Sequence, residues 1–345
     1  MMAAKPETLD RLLRWLAAGP IQEADGGIFA WCDYRFTPSY VYPEVTGYLL
    51  TTLASGITPI ERSRTRAARC AVFLKHRVQA GRLGARPQED TVIYNFDQGV
   101  IATGLMRAHA RLGTDTLAEG LQLAKLLRDQ ILRDHLLPTL CDKGSVPGRG
   151  RKWSTIGTLH LVKCTQALLL AHEHGLERAE EAAHLLATHT LSLLRSLDAP
   201  HTCPGSPEIH LHAVLYCAEG MWIYGNATGA KDALDCSETL LKYVLGQMDH
   251  AGALTATVGG DMHAPEQGDV AAQLLRLALL HGISTNLVEL IYERLRGFFH
   301  SQENWTVVEY QQGSGHLNTW ATIFAVQGCW FMHNPGQQFD WRDFA

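Results

Sequence analysis

A design that recurs six times along the chain constrains the fold more than any other feature of the sequence. Each unit has a polar loop, then one polar or acidic residue, then an almost wholly apolar helix of small side chains. The residues that open the six apolar helices are Glu44, Asp97, His160, His212, Asp269 and Asn318. Successive units begin roughly 50 to 63 residues apart, which suits one helix-turn-helix hairpin per unit.

The helices between these six differ from them, because they carry a charged face. Residues 64–80 and 117–132 are two examples. A helix that is apolar all round is buried, whereas one with a charged face lies outside. The alternation therefore predicts an inner ring of helices within an outer ring, an all-α (α/α)6 toroid. The alternative is a linear helical solenoid, but that fold would need a tighter repeat and polar capping ends, and the sequence has neither.

Composition predicts a single domain over residues 1–345. The chain is 46% apolar and 19% charged, and no Gly/Ser-rich, Pro-rich or charged linker separates its halves. The formal net charge is −5, with Lys and Arg scattered along the chain. A protein that binds nucleic acid would carry a denser basic face. We therefore expect no nucleic-acid partner.

The cellular setting is predicted from cysteines and apolar stretches. Eight cysteines form no CxxC pair, and several lie inside apolar helical runs. This usage favours a reducing compartment. The first residues lack the apolar stretch of a signal peptide, and no window reaches the length of a membrane span. We expect a cytoplasmic protein without membrane insertion.

The residues that open the inner helices form the candidate site. In such a toroid the loops that enter the inner helices open on one face, so these residues converge on a central funnel. Carboxyl groups there would support general acid/base chemistry. The candidate catalytic residues are Glu44, Asp97, Asp269, His212 and Tyr34. The structural alternative for the acidic residues is that they cap helix N-termini, where negative charge is favourable.

The loops before the inner helices are rich in aromatic and polar side chains. Sugars suit such surroundings, because their C–H faces stack on aromatic rings while their hydroxyls bond to carboxylates and amides. The candidate substrate-binding residues are Trp31, Asp33, Arg35, Tyr42, Tyr94, Trp153, His160, Asp261, His263, Tyr310, His316, Asn318 and Trp320. Packing of the aromatic rings in the core is the alternative interpretation.

Two types of sugar chemistry fit these groups. A glycoside hydrolase needs two carboxyl groups that flank the scissile bond, one of them kept protonated, and Glu44 with Asp97 is the first choice. A lyase or epimerase instead needs a base, an acid and a group that neutralises the substrate's own carboxylate. The residues available for those roles are Tyr34, Tyr94, His160 and His212, with Arg35 or Arg151 as the clamp. The sequence favours hydrolysis and leaves both open.

Three motifs resemble a group of bacterial toroid proteins associated with polysaccharide and glycan biosynthesis. The motifs are Tyr42-Pro-Glu44-Val-Thr-Gly-Tyr48, Asn95-Phe-Asp97-Gln-Gly99 and His316-Leu-Asn318-Thr-Trp320. The group is similar in layout to the wider six-hairpin superfamily of glycosidases, polysaccharide lyases and sugar epimerases. The resemblance covers about residues 25–330 and implies a carbohydrate substrate. It identifies neither the substrate nor the bond, since one fold hosts several chemistries.

Three further interpretations remain beside an enzyme acting on sugars. One is a glycan-binding toroid that has lost catalysis, and another is a cyclase or isomerase of a non-sugar natural product. The Asp-x-Asp-Asp run of class II terpene cyclases and the zinc-ligand sequence of lanthionine cyclases are both missing. The third is a metal site built from His210, His212, Asp261 and His263. We predict no metal, because a His pair at this spacing is common by chance in a chain with 17 His. We also predict no nucleotide cofactor, because the glycine pairs lack the strand context of a phosphate-binding loop.

Overall fold

A computed structural model describes residues 6–58, 60–86, 92–140, 153–203, 205–259 and 264–345. Within these ranges the chain forms thirteen α-helices. They are α1 (Pro6–Ala18), α2 (Pro43–Ala54), α3 (Ile60–Gln79), α4 (Asn95–Leu112), α5 (Leu117–Asp134), α6 (Trp153–Ile156), α7 (Thr165–Glu173), α8 (Ala179–Arg195), α9 (Leu211–Thr228), α10 (Lys231–Leu245), α11 (Gly268–Leu280), α12 (Thr285–Arg296) and α13 (Thr319–His333). Two 3-10 helices, Leu159–Cys164 and Trp341–Asp343, complete the helical part.

Six of these helices close into an inner ring. Helix α2 packs against α4, α4 against α7, α7 against α9, α9 against α11, α11 against α13, and α13 against α2. An outer helix follows or precedes each inner one, and α3, α5, α8, α10 and α12 each pack beside an inner neighbour. Because the last inner helix returns to the first, the predicted (α/α)6 toroid is confirmed and the linear solenoid is wrong.

The inner helices are more completely buried than the outer helices, as the sequence predicted. Every residue of α2 is buried, as is α9 from Ala213 through Gly225. The outer helices bury only one face, and in α10 the buried residues are Ala233, Ser237, Leu240, Leu241 and Val244. Apolar area removed from water is the main driving force of folding, so the inner helices form the centre of the core.

Two glycines allow the first two inner helices to approach closely. A Cβ atom added to Gly104 of α4 would lie 2.7 Å from the carbonyl oxygen of Gly47 and 3.2 Å from its Cα atom. A Cβ added to Gly47 of α2 would lie 3.0 Å from the Cα atom of Ile101. The obstructing atoms belong to the backbone, so they cannot turn away as a side chain could.

We expect Gly104→Ala to lower the free energy of unfolding by about 1–3 kcal/mol, because overpacking outweighs the helix propensity that alanine adds. Chemical denaturation of the variant and the native chain measures this difference. The matched control is Gly56→Ala, since a Cβ at Gly56 meets no atom within 4 Å. Equal stability of Gly104→Ala and the native chain would contradict the close packing of α2 on α4.

Short strands link the loops at the end of the ring where the inner helices begin. They are β1 (Trp31–Cys32), β2 (Ile209–His210), β3 (Thr257–Val258), β4 (Phe299–Ser301), β5 (Thr306–Glu309) and β6 (Leu317–Asn318). One sheet has the order β1-β6-β5-β4, and a second pairs β2 with β3, all antiparallel. These short strands are additions to the all-α prediction.

The opposite end of the ring is covered by residues 341–345. The Gln166 side-chain amide donates to the carbonyl oxygens of Trp341 and Phe344, at 2.9 and 2.8 Å. From α13, the Gln327 amide donates to the carbonyl of Asp343 at 2.9 Å. The Asp343 carboxylate is paired with Arg107 of α4. The segment therefore contacts three inner helices and leaves the funnel to open at the other end.

None of the helices in the described ranges has the length and apolar character that crossing a membrane requires.

Candidate active site

The residues predicted to open the inner helices lie where the sequence placed them. Glu44, His212 and Asp269 are each the second residue of α2, α9 and α11, and Asp97 is the third residue of α4. His160 is the second residue of the 3-10 helix that precedes α7, and Asn318 directly precedes α13. Because all six inner helices begin at the same end of the ring, these residues come together there.

One cavity of about 230 Å³ joins most of them. Its walls combine carboxyl groups, imidazoles and aromatic rings. The lining residues are Tyr42, Glu44, Val45, Ala85, Tyr94, Phe96, Asp97, Trp153, Ser154, His160, His212, Tyr216, Asp269, Tyr310 and Trp320. The sequence predicted ten of these fifteen residues as catalytic or substrate-binding.

One of the six opening residues makes the side-chain hydrogen bond of a helix N-cap. The Asn318 side chain accepts a hydrogen bond from the amide of Ala321 at 2.8 Å, so it caps α13. Asn318 is fully buried and does not line the cavity. The residues that cap α2, α4, α9 and α11 are Tyr42, Tyr94, His210 and Gln267, and none of them makes a side-chain capping bond. A side-chain capping bond is therefore seen at Asn318, while Glu44, Asp97 and Asp269 lie in the first turn of their helices, where negative charge is favourable.

Glu44 and Asp97 form a buried acid pair. Both carboxyl groups share the side chain of Tyr42 as a hydrogen-bond partner. Burial raises the pKa of Glu44 to about 7, although Tyr42 and the charge of Lys163 oppose the rise. Burial and then the charge of Glu44 raise the pKa of Asp97 well above its usual range. Because the charge of Glu44 acts on Asp97, the two carboxyl groups titrate as a pair, with both pKa values raised.

Asp97 is also incompletely satisfied. Its side chain is 3% exposed, and its Oδ2 atom has no hydrogen-bond partner among the described residues. A buried polar atom without a partner costs free energy. An oxygen in that state, facing a cavity, is available to a ligand.

A second group of polar side chains lies on α9 and α11. The Nδ1 atom of His212 is 3.6 Å from Oδ2 of Asp269, and the Trp320 indole donates to the same oxygen at 3.1 Å. The other oxygen of Asp269 accepts a hydrogen bond from the backbone amide of Val270 at 2.9 Å. Burial lowers the pKa of His212, while the charge of Asp269 opposes the change. His212 is therefore a neutral imidazole near pH 7, oriented beside a carboxylate.

His160 is neutral for the same reason. Burial, followed by the nearby His212, lowers the pKa of His160 to about 3. Its Nδ1 atom is buried without a hydrogen-bond partner among the described residues. A neutral imidazole carries one donor and one acceptor nitrogen, so His160 can donate a hydrogen bond to a hydroxyl or accept one from it.

Aromatic rings form the wall between the Glu44–Asp97 pair and the polar side chains of His160, His212 and Asp269. Trp153 meets His160 and His212 edge to face, with ring centroids 5.2 and 5.6 Å apart. Phe96 and Tyr216 lie 4.8 Å apart beneath them, and Tyr310 packs on Trp320 at 6.0 Å. The cavity therefore offers apolar ring faces beside hydrogen-bonding groups, the combination that sugar rings require.

The structure places Tyr34 and its neighbours outside the lining of this cavity, apart from the other four candidate catalytic residues. The Tyr34 hydroxyl donates to Glu309, and its ring stacks on His300 at 4.8 Å. The Asp33 carboxylate accepts hydrogen bonds from the backbone amides of Arg35 and Thr37, both at 2.8 Å, so it closes a turn. Arg35 is exposed at that turn. Asp33 and Arg35 are therefore not among the residues that line the cavity, and their substrate-binding role stays a prediction.

Trp31 and His316 also lie beside the cavity and not in its lining. Their ring centroids are 4.3 Å apart, and His316 in turn packs on Tyr310 at 5.1 Å and on Trp320 at 6.3 Å. For these two residues the packing interpretation fits, because their rings support two residues that do line the cavity.

Three residues named by the sequence analysis, Arg151, Asp261 and His263, lie outside the described ranges. Two of them belong to the alternative metal site. Within the described ranges no three His, Cys, Asp or Glu side chains form a group that could hold a metal ion. The remaining members of that site are His210, which lies 3.4 Å from Glu208, and His212, which faces Asp269.

Sequence reasoning missed a charged cluster below the cavity. Lys163, Glu219 and Arg276 are 4%, 0% and 0% exposed, and they lie in the 3-10 helix before α7, in α9 and in α11, three segments that are mostly apolar. The missed signal is spacing: Glu219 follows His212 by seven residues, and Arg276 follows Asp269 by seven. Positions i and i+7 lie on the same helix face, so charges there point to the same axis.

Comparisons with known proteins give no match by sequence. No protein-family model matches the chain, and no curated protein does. Many solved structures match it in fold.

The fold comparisons agree with the ring of six hairpins. An unsaturated glucuronyl hydrolase specific for heparin has a TM-score of 0.71 at 12% identity, covering 94% of this chain and 96% of that chain. The cellobiose 2-epimerase of Bacillus thermoamylovorans has a TM-score of 0.71 at 12% identity, covering 94% and 99%. A D-mannose isomerase has a TM-score of 0.68 at 14% identity, covering 94% and 95%. At these identities the likeness establishes a shared fold.

Proposed function

We propose that the chain is a carbohydrate-active enzyme that performs acid/base chemistry on a glycan, glycoside or sugar intermediate in the funnel. The observation that carries the proposal is the acid pair Glu44–Asp97, which is buried, has raised pKa values and faces an aromatic-walled cavity. Perturbed carboxyl groups in a cleft are the usual sign of a catalytic site. The likeness in fold to enzymes named as a glucuronyl hydrolase, an epimerase and an isomerase supports a sugar substrate.

The order of the inner helices supports proton transfer from two sides of a substrate. In a ring of six, α2 lies opposite α9, and α4 lies opposite α11. Glu44 and Asp97 thus face His212 and Asp269 across the cavity. A protonated carboxyl on one side can protonate a leaving oxygen, while a neutral imidazole beside a carboxylate can accept a proton on the other.

Hydrolysis of a glycosidic bond is the first candidate reaction. Asp97, which keeps its proton, acts as the general acid on the leaving oxygen, and an ionised group activates water. Epimerisation or isomerisation is the second candidate, and the neutral state of His160 and His212 favours it. In that case one group removes a proton from carbon and a group across the cavity returns one.

A second chamber supports a substrate longer than one sugar ring. It measures about 440 Å³ and shares Trp153, His212 and Tyr310 with the funnel. Its other polar lining residues are Ser206, Glu208, His210, Thr257 and Gln267. Ligand pockets range from about 300 to 1,000 Å³, so the funnel alone suits a single ring and the chamber suits what is attached to it.

The alternative of a binding protein without catalysis fits the cavity less well. Such a toroid would pair each funnel carboxylate with Arg or Lys. The hydrogen-bond partner of both Glu44 and Asp97 is instead Tyr42, and Oδ2 of Asp97 has no partner among the described residues, although the charge of Lys163 also acts on Glu44. A cyclase of apolar substrates would have a dry aromatic cavity, whereas this one contains three carboxyl groups.

Proton NMR in heavy water tests the proposed function and separates its two reactions. Neutral and uronic mono- and disaccharides are incubated with the native chain in D₂O. Both routes produce new sugar signals, but hydrolysis leaves every carbon-bound proton in place, whereas epimerisation or isomerisation exchanges a carbon-bound proton for deuterium. Turnover by either route supports the proposal, and a panel left unchanged would count against it.

Ring stacking in the cavity gives a binding prediction. We expect Trp153→Ala to weaken the affinity for a sugar that binds the native chain by about tenfold, since an aromatic face contributes about 1.4 kcal/mol. Isothermal titration calorimetry measures the dissociation constant. Tyr34→Ala is the matched control, because Tyr34 is an exposed aromatic residue outside the cavity. A larger loss of affinity in Tyr34→Ala than in Trp153→Ala would contradict the assignment of Trp153 as the ring on which the sugar stacks.

A further inference from the structure

Side chains from three inner helices meet at the carboxyl group of Asp269. Asp269 is the second residue of α11, His212 is the second residue of α9, and Trp320 is the second residue of α13. All three residues line the cavity. The contacts among them therefore set the orientation of groups that a substrate in the funnel would touch.

The Asp269 carboxylate is held from two sides. Its Oδ1 atom accepts a hydrogen bond from the backbone amide of Val270 at 2.9 Å, and its Oδ2 atom accepts one from the indole nitrogen of Trp320 at 3.1 Å. Asp269 is only 2% exposed, so water has little access to replace these bonds. Hydrogen bonds to a charged acceptor are about twice as strong as those between neutral groups. The bond from Trp320 therefore holds Oδ2 in one place.

The backbone that carries Asp269 is held as well. The amide of Gly268 donates to the carbonyl oxygen of Tyr310 at 2.9 Å, and a Cβ atom at Gly268 would lie 2.3 Å from the carbonyl oxygen of Glu309. Helix α11 thus begins directly against strand β5. Because the backbone is fixed there, the freedom left to Asp269 is rotation of its side chain, which the bond from Trp320 opposes.

The Oδ2 atom of Asp269 faces one nitrogen of His212. The Nδ1 atom of His212 lies 3.6 Å from Oδ2 and is buried without a hydrogen-bond partner among the described residues. This separation is slightly longer than a hydrogen bond, which is common at catalytic groups before a substrate binds. A lone pair on Nδ1 would be repelled by the carboxylate, whereas a hydrogen on Nδ1 is attracted to it. The geometry therefore favours a hydrogen on Nδ1.

The other neighbours of His212 compete weakly for this hydrogen. Tyr216 and Trp153 meet its ring edge to face, with centroids 4.3 and 5.6 Å away. The side chain of Gln273 also interacts with His212, and its Oε1 atom is buried without a hydrogen-bond partner among the described residues. An amide oxygen is a neutral acceptor, and a carboxylate attracts an N–H group more strongly. Gln273 is therefore the competitor that a test has to exclude.

We propose that Trp320 is a positioning residue: its indole N–H fixes the Asp269 carboxylate opposite Nδ1 of His212, which keeps the hydrogen of His212 on Nδ1 and leaves Nε2 as the acceptor. The inference rests on the proposed function for its catalytic meaning. A neutral imidazole has one nitrogen that can accept a proton, and general base catalysis requires that this nitrogen be the one that meets the substrate. Trp320 serves the reaction through its N–H group, acting on His212 by way of Asp269.

The first test is the tautomer of His212 in the native chain near neutral pH, without sugar. Two-bond ¹H–¹⁵N correlation NMR of a chain with ¹⁵N-labelled histidine shows which ring nitrogen carries the hydrogen. His212→Gln identifies the signals of His212 by their loss. We expect a single form with the hydrogen on Nδ1. A hydrogen on Nε2, or a mixture of the two forms, would overturn the proposal.

Trp320→Phe then removes the indole N–H and keeps an aromatic ring. We expect the Nδ1–H form of His212 to be replaced by a mixture of tautomers. Asp269→Ala should have the same effect, and adding Trp320→Phe to Asp269→Ala should change nothing further, because Trp320 acts through Asp269. The matched control is Trp330→Phe, the same substitution in α13 but outside the lining of the cavity, which should leave the tautomer unchanged.

Two outcomes of the variants contradict the proposal. One is a folded Trp320→Phe chain in which His212 keeps its hydrogen entirely on Nδ1. The other is a change of tautomer in Gln273→Met but not in Asp269→Ala, which would assign the hydrogen to Gln273. The measurement on the native chain stands beside them and does not depend on how well a variant folds.

Kinetics separate positioning from sugar stacking once a substrate is known. Loss of positioning should lower kcat of Trp320→Phe with KM nearly unchanged, whereas loss of a ring contact that binds ground state and transition state equally raises KM and leaves kcat unchanged. The second pattern would contradict the proposal. The tautomer measurement contains no sugar, so a chain without sugar turnover can still hold His212 as the Nδ1–H form. Conversely, sugar turnover by a chain with the hydrogen on Nε2 retains the proposed function and removes this inference.

Discussion

Asp97→Asn is expected to lower kcat/KM for a sugar that the native chain converts by about 10²–10⁴-fold, the usual contribution of a general acid or base. Asparagine preserves the shape of the side chain but has no carboxyl proton to give. Because Asp97 is buried and its pKa is raised, the neutral amide imposes no new burial cost. The melting temperature should therefore not fall, which separates lost chemistry from lost folding.

The matched control is Asp115→Asn. Asp115 is exposed and pairs with Lys75 at 2.7 Å on the outside of the ring, so its replacement should leave kcat/KM unchanged. Glu44→Gln should behave as Asp97→Asn does, because the pair acts as a unit. The assignment would be falsified if Glu44→Gln and Asp97→Asn both kept full activity.

Glu219→Ala is expected to lower the free energy of unfolding by about 3–5 kcal/mol, the usual cost of removing one partner from a buried ion pair. The substitution leaves Lys163 and Arg276 buried, at 4% and 0% exposure, without their shared anion. It also removes the acceptor of Gln273. Equilibrium unfolding in urea measures the difference, provided that the transition is two-state.

A surface ion pair gives the control for this prediction. Glu238 and Lys242 lie 2.6 Å apart on α10, with both side chains largely in solvent. Exposed pairs contribute little to stability, so Glu238→Ala should unfold at the same urea concentration as the native chain. If Glu219→Ala did so too, the network below the cavity would be absent in solution.

The ring itself was predictable because burial imposes a pattern on sequence. Helices that are apolar all round alternate with helices that have a charged face, and this alternation fixed their places in the inner and outer rings. The polar residue before each apolar helix located Glu44, Asp97, His160, His212 and Asp269 at the mouth. Their convergence follows from the closure of the ring, which brings together positions far apart in sequence.

The small sheets could not be predicted in the same way. Strands β1, β2, β3 and β6 have two residues each, too few for an alternating pattern. The 3-10 helix Leu159–Cys164 was predicted as the start of a longer α-helix. There the backbone lies so close to α9 that a Cβ at Gly220 would be 2.5 Å from the nitrogen of Lys163. Such tertiary contacts are not visible in local sequence.

The candidate site shows the same difference between what local sequence can and cannot predict. Residues on helix starts were placed correctly, because a helix fixes the direction of its side chains. Residues of the loop 31–36 were not, because a turn closed by Asp33 decides where Tyr34 and Arg35 point. The network of Lys163, Glu219 and Arg276 was overlooked because each charge stands alone in an apolar helix. Charges spaced by whole turns from a candidate catalytic residue are the signal to seek.

The most direct test of the sugar site is a crystal structure of Asp97→Asn grown or soaked with neutral and uronic oligosaccharides, since a slowed enzyme retains its substrate. We predict a sugar ring in the funnel, stacked on Trp153, with an oxygen of the bond to be attacked within hydrogen-bond distance of residue 97 and Glu44. The next sugar should extend into the second chamber past Tyr310. Sugars bound only outside the funnel, or a funnel that instead admits apolar molecules, would contradict the assignment of this cavity as a sugar-processing active site.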